Sequence, residues 1–240
     1  MHSAALVVGA GDAIGAALVR RFAREGLATV GARRSAEKLQ AVVDELTTEG
    51  LRAYAWACDA RKEDQVVALF DRVERELGAL ELVVFNVGAN VPMLMLETPA
   101  QKFYKIWEMA CFAGFLTGRE AARRMAARGR GTIIFTGATA STRGAAGFGA
   151  FASAKAALRA CAQSLAREMM PQGIHVAHVV VDAVVDTAWS REIVLPLRAE
   201  RKPDDIVQPD SLAELYWQLH RQPRDAWTFE ADVRPWVERW

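Results

Sequence analysis

Short apolar runs alternate with amphipathic stretches along most of the chain. "AALVVGA" (4–10) is a run of small and branched residues ending in glycine, the pattern of a buried parallel strand. "AIGAALVRRFAREG" (13–26) follows with apolar positions Ile14, Leu18 and Phe22 at helical spacing, and Gly26 suits its C-terminal end. "LATVGARR" predicts a second strand. "SAEKLQAVVDELTTEG" predicts a helix, with Ser35 as N-cap and Gly50 at its end. "LRAYAWACDA", "LELVVFNVG", "GTIIFTGA" and "GIHVAHVVVDAVVDT" predict strands three to six. Between them lie "KEDQVVALFDRVERELG", a helical stretch from about Pro99 to Arg128, and "FGAFASAKAALRACAQSLAREM". This regular alternation predicts a single α/β domain over 1–240, a Rossmann-like doubly wound parallel sheet with helices on both faces. No internal repeat or low-complexity linker interrupts it.

Past residue 187 the pattern breaks. Residues 188–210 are irregular and charged, with Pro196, Pro203 and Pro209, and predict a lid over the ligand cleft. "SLAELYWQLHRQ" predicts a last helix and "AWTFEADVRPW" an edge strand. The end of the chain is rich in tryptophan (Trp217, Trp227, Trp236, Trp240), which fits subunit packing or a pocket wall better than chemistry.

Composition narrows the function. Apolar residues make up 52% and charged residues 25% of 240, as in globular proteins of ordinary size. Thirty basic side chains face 29 acidic ones, so no global field selects nucleic acid or a membrane surface. No apolar run approaches the roughly 20 residues of a membrane span, and no secretory leader is expected. Cys58, Cys111 and Cys161 are scattered, and read as small apolar residues of a reducing compartment. No metal-ligand spacing, HExxH or catalytic triad is visible. A cytoplasmic protein acting on a small molecule is expected.

The strongest chemical signal is "VVGAGDAIGAA", which puts Gly9, Gly11 and Gly15 in the first strand-to-helix turn. A diphosphate needs close approach to backbone amides at a helix N-terminus, and side chains would block it. The position after a strand and before a helix is the confirming context for a dinucleotide; the alternative is a tight turn without ligand. The second strand ends in Arg33 and Arg34, with no acidic residue to bind a ribose hydroxyl. These arginines suit a 2′-phosphate, which favours NADP over NAD, unless both are solvated surface charges. Asp59 could accept from an adenine amino group or cap the next helix.

These segments, with "CDA", "FNVG", "FASAK" and "VVDT", resemble the short-chain dehydrogenase/reductase family over nearly the whole chain. The resemblance implies a dinucleotide held by Gly9, Gly11, Asp12, Ala13, Ile14, Gly15, Arg33, Arg34, Asp59, Ala60, Asn86, Val87, Gly88, Thr136, Lys155 and Thr187. It also implies a homodimer or homotetramer. The family's catalytic Lys falls on Lys155. Its Tyr, four residues earlier, falls on Phe151; its Ser, thirteen before that, on Ala138; its Asn near Ala110. Three of four polar groups are thus replaced by groups that exchange no proton. The middle glycine of the family's turn is Ala13, and Asp182-Ala183 stand where Pro-Gly is usual.

The expectation is an NADP(H)-dependent oxidoreductase acting on a carbonyl or imine, with a non-standard proton source. The alternatives are a cofactor-binding lyase or isomerase, and an inactive nucleotide-binding protein. Candidate substitutes for the missing acid are Lys155, Ser141 and Asp182, with Ala138, Thr139, Phe151 and Tyr104 facing the substrate. Each has an ordinary alternative. Lys155 would simply hold a ribose; Thr139, Ser141 and Asp182 would bond within their loops; Tyr104 would pack. His175 and His178 in the sixth strand read as structural, and His220 falls on a last helix expected at an interface or in the tail.

Overall fold

The computed structural model describes residues 3–197, Lys202 and 204–238. Seven parallel strands form one sheet in the order β3-β2-β1-β4-β5-β6-β7. They are β1 (Ser3–Val8), β2 (Ala28–Arg33), β3 (Ala53–Ala57), β4 (Ala79–Phe85), β5 (Gly131–Thr136), β6 (Ile174–Val181) and β7 (Glu230–Val233). The helices are α1 (Ile14–Arg24), α2 (Gln40–Thr48), α3 (Glu63–Leu77), α4 (Ala100–Trp107), α5 (Ala113–Ala126), α6 (Gly149–Met169) and α7 (Pro209–His220). The predicted doubly wound sheet is therefore the observed one, and the expected last strand closes its edge beside β6.

Period-two burial feeds two cores. Leu6, Val83, Phe85, Ile133, Phe135, Ile174 and Val176 face α3, α5 and α6. Val7, Leu82, Val84, Ile134, Ala177 and Val179 face α1, α2 and α7. Trp217 of α7 packs on Phe22 of α1, with ring centroids 6.3 Å apart. Trp227 stacks on His175 at 5.0 Å. Both tryptophans thus take part in internal packing. Trp236 is exposed, and Trp240 lies outside the described residues.

Two local expectations change. The helical stretch from Pro99 is interrupted by a π-helical turn at Glu108–Phe112, joining α4 to α5. Such turns widen a helix by one residue and recur beside ligand sites. Ser35 makes no capping hydrogen bond; a 3₁₀ turn at Ala36–Leu39 precedes α2. The scattered cysteines are also less scattered than their spacing implies. All three are free thiols, and those of Cys111 and Cys161 influence one another across the packing of two elements. Among the described residues no helix is long and apolar enough to cross a membrane, and no cluster of metal-binding side chains occurs.

Candidate functional site

The sheet order reverses between β1 and β4, and a cleft opens at the carboxyl ends of these strands, where such folds bind ligands. Its volume is about 1230 Å³. That exceeds the roughly 300–1000 Å³ of a drug-sized pocket and suits a dinucleotide with a small substrate.

The glycine turn forms one wall. Gly9 has φ +88°, and a Cβ there would lie 2.8 Å from the Asn86 carbonyl carbon. Gly15 would place a Cβ 2.5 Å from Ala10 Cα, so only glycine lets α1 start this close to β1. Gly11 meets nothing within 4 Å, which leaves its outer side open. Asn86 Nδ2 donates to Gly9 O at 3.1 Å and ties the end of β4 to the turn. The first turn of α1 carries no acidic residue, and the carboxylate just before it, Asp12, is held by Arg33.

All sixteen residues expected to hold the cofactor line this one cleft, from Gly9 at one end through Asp59 and Asn86 to Thr187 at the other. Their roles differ in detail. Arg33 Nη1 donates to Asp12 Oδ1 at 2.5 Å across the mouth. Arg34 is exposed and makes no ion pair among the described residues. Asp59 accepts from Arg61 Nε at 2.9 Å and Nη2 at 2.6 Å, which holds its carboxyl below the usual range. It does not cap α3, whose N-cap is Lys62. Thr187 and Ser190 exchange hydrogen bonds of 2.9 Å, closing the turn that leaves the cleft. Ser35 and Lys38 also line the cleft. Lys38 carried no sequence signal, and the cap pattern hid Ser35.

Lys155 is wholly buried at the inner end. Its Nζ donates to Thr136 O at 2.7 Å and Val87 O at 3.1 Å. Burial pushes its pKa down to about 8. The Phe151 ring centroid lies 5.9 Å from Nζ. Phe151 and Ala138 face the cleft as expected, joined by Met109 within the π-helical turn and Ala113 just after it. Ala110 itself is buried in the apolar cluster behind. Around Phe151 the wall is thus largely apolar, with Lys155 beside it.

Four expected residues are not on the cleft wall. Tyr104 is 59% exposed and stacks on Trp107 outside the cleft. Thr139 Oγ1 donates to Asp182 Oδ1 at 2.6 Å. Asp182 also accepts from Arg143 Nη2 at 3.0 Å and lies 3.8 Å from Arg234 Nη2, so it is a strut between loops. Ser141 is 3% exposed and its Oγ accepts from Ala138 N at 3.1 Å, beneath the floor. These loops bring the hydroxyls inward because each satisfies a buried partner. Of the expected lid, Ala188, Trp189, Arg191, Gln208, Pro209 and Asp210 border the cleft; 198–201 and 203 lie outside the described residues.

A parallel sheet with a glycine turn at its switch point, continuous with a buried lysine, defines a dinucleotide-dependent class of enzyme. A sequence model described as "short chain dehydrogenase" matches residues 3–196, and the chain belongs to that family and is an oxidoreductase of its type. It is 31% identical over 218 residues to 1-deoxy-11-beta-hydroxypentalenate dehydrogenase of Streptomyces exfoliatus, covering 90% of this chain and 78% of that one. It resembles the crystal structure of a short-chain dehydrogenase from Rhodopseudomonas palustris, with TM-score 0.84, 47% identity and coverage of 98% and 99%. A metagenomic short-chain oxidoreductase in complex with NADP gives TM-score 0.83 at 25% identity, with coverage of 99% and 98%.

Proposed function

We propose that the protein is an NADP(H)-dependent oxidoreductase that interconverts an alcohol with its ketone, or an amine with its imine, on an apolar skeleton. Its proton does not come from a phenol. The observation that carries this reading is the single cleft that joins the glycine turn to the buried Lys155. A nicotinamide would supply the hydride acceptor or donor. Gly9, Gly11 and Gly15 would take the diphosphate on backbone amides, and Lys155 would hold the ribose beside the chamber. Phe151, Ala138, Met109 and Ala113 would exclude water around an apolar substrate. The S. exfoliatus relative, named for a hydroxylated substrate, supports an alcohol.

The test is spectrophotometric. The protein is mixed with NADPH and cyclic ketones or imines, and with NADP⁺ and the matching alcohols, and absorbance is followed. Turnover in either direction is expected. Tight cofactor binding with no turnover on any compound would favour the non-redox or inactive reading, to which the Phe151 ring already lends some weight.

The cofactor preference rests on Arg34 and Lys38, two exposed cations at the cleft that make no ion pair among the described residues. The metagenomic relative's NADP supports it. Charge-assisted hydrogen bonds contribute about 1.5–3 kcal/mol each. Arg34→Ala is therefore expected to weaken NADP⁺ about 10- to 100-fold by calorimetry, with NAD⁺ unchanged. Equal losses for both would remove the 2′-phosphate argument. A second copy of this chain is the partner this reading includes, and an aromatic row supports it. Tyr104, Trp107, Phe112 and Phe115 stack at 6.1–6.3 Å along α4 and α5, with Tyr104 and Phe115 exposed.

A further inference from the structure

Behind the floor of the cleft lies a polar group that the cofactor reading leaves unused. His178 of β6 is completely buried. Its Nδ1 lies 3.0 Å from Glu230 Oε2 on β7, its register partner. Arg159 of α6 grips Glu230 through two hydrogen bonds of 2.6 Å and, as the largest influence, holds its carboxyl below the usual range. Burial pushes the His178 imidazole down to about 4; Glu230 pulls it up, while Lys155 and Arg159 add to the depression. At neutral pH the ring is uncharged, and the ionised Glu230 requires the proton on Nδ1. Nε2 is then a bare lone pair, and it has no hydrogen-bond partner among the described residues. A buried acceptor left open costs about 1–3 kcal/mol, so its presence calls for a reason.

Gly137 shows where Nε2 points. A Cβ there would lie 2.5 Å from His178 Nε2 and 2.9 Å from Ser141 Oγ. Imidazole nitrogen and serine oxygen thus crowd the same side of Gly137, where a side chain would clash with both. Ser141 Oγ already accepts from Ala138 N, so its hydroxyl hydrogen is the one left to give. Gly137 and Ala138 themselves line the cleft.

We propose that Ser141, His178 and Glu230 form a proton relay that opens into the cleft at Ala138, beside Phe151, and replaces the phenol. The relay rests on the oxidoreductase reading above. In the oxidative direction the substrate O–H bond breaks, and its proton passes through one water at Ala138 to Ser141 Oγ. Ser141 turns its hydroxyl toward His178 Nε2, which has no partner at rest, and gives up its own proton there. A bound oxidised pyridine dinucleotide would supply the hydride acceptor that balances this proton loss as the carbonyl forms. Glu230 faces the resulting imidazolium and stabilises it. Reduction returns the same proton along the same path. His178 and Glu230 act through Ser141 and are positioning residues.

The test uses the full chain as wild type, His178→Gln, Ser141→Ala and the double variant. Each single change is expected to lower kcat about 10²- to 10³-fold at unchanged NADP⁺ affinity, the usual scale for losing a placed acid or base. The double variant should be no slower than the slower single one, and all three should lose the same limb of the pH–kcat profile. A purely structural role would give additive losses and keep that limb. A folded His178→Gln enzyme with wild-type kcat and pH profile overturns the relay; His178→Asn replaces it if the Gln variant does not fold. A readout independent of turnover is the ¹⁵N-histidine spectrum of the ligand-free protein. His178 should be the Nδ1–H tautomer, with an Nε2 resonance that shifts in Ser141→Ala. An Nε2–H tautomer, or no shift, overturns the relay whatever the activity. Absence of turnover by the wild type, with those spectra as expected, overturns the oxidoreductase reading instead.

Discussion

Lys155→Met is expected to lower turnover by about 10²–10⁴-fold without lowering the melting temperature of the ligand-free protein. The two effects separate because the ammonium is a liability before ligand binds. It is wholly buried, and burial alone drives its pKa down to about 8 from 10.5. A lysine depressed in this way binds its proton more weakly folded than unfolded, so it costs stability at neutral pH. That cost is largest below pH 8 and fades as pH rises toward 10.5. Methionine has nearly the same length and carries no charge. It abandons two hydrogen bonds, to Thr136 O and Val87 O, of about 1 kcal/mol each. The balance leaves the fold intact. A destabilised Lys155→Met protein would show that the lysine is a structural peg, and its place in the proposed mechanism would go.

Acidification from pH 7 to pH 5 is expected to lower the unfolding free energy by about 2 kcal/mol for each of His178 and His220. Burial holds both near 4 against an ordinary 6.5. His175, which stacks on Trp227, is depressed in the same direction by burial. The unfolded chain therefore binds protons between pH 6.5 and pH 4 that the folded chain refuses. Stability is full above 6.5 and falls as pH drops toward the folded value. Urea melts at the two pH values check this. His220→Gln should flatten the dependence, since His220 lies 2.9 Å from Thr132 Oγ1 and outside the cleft. An unchanged midpoint between pH 7 and pH 5 would mean that these imidazoles are better solvated than their burial indicates.

The elements were legible because their causes are local. The run "AALVVGA" is buried on both sides and can only be an inner strand, and the turn after it needs Gly9 at positive φ. The same locality explains why the residues named from the sequence line one cleft. In a doubly wound sheet every strand end falls on one rim, so reading the strands reads the rim. The substrate end was less legible. Ser141, Thr139 and Asp182 were foreseen beside it, yet each turns to a partner within its own loops. Ala110 was expected at the chamber, but the π-helical turn rotates Met109 and Ala113 there instead.

The amino-acid order by itself determined the sheet, its helical cover, the glycine cradle and the place of Lys155, because period and turn chemistry act within a few residues. Only tertiary structure decided which side chains oppose one another across the layers. His178 meets Glu230 across 52 positions, Tyr216 reaches Thr136 across 80, and Cys111 finds Cys161 on another helix. Periodicity tells a residue which face to take, but the packing of separate elements chooses its partner.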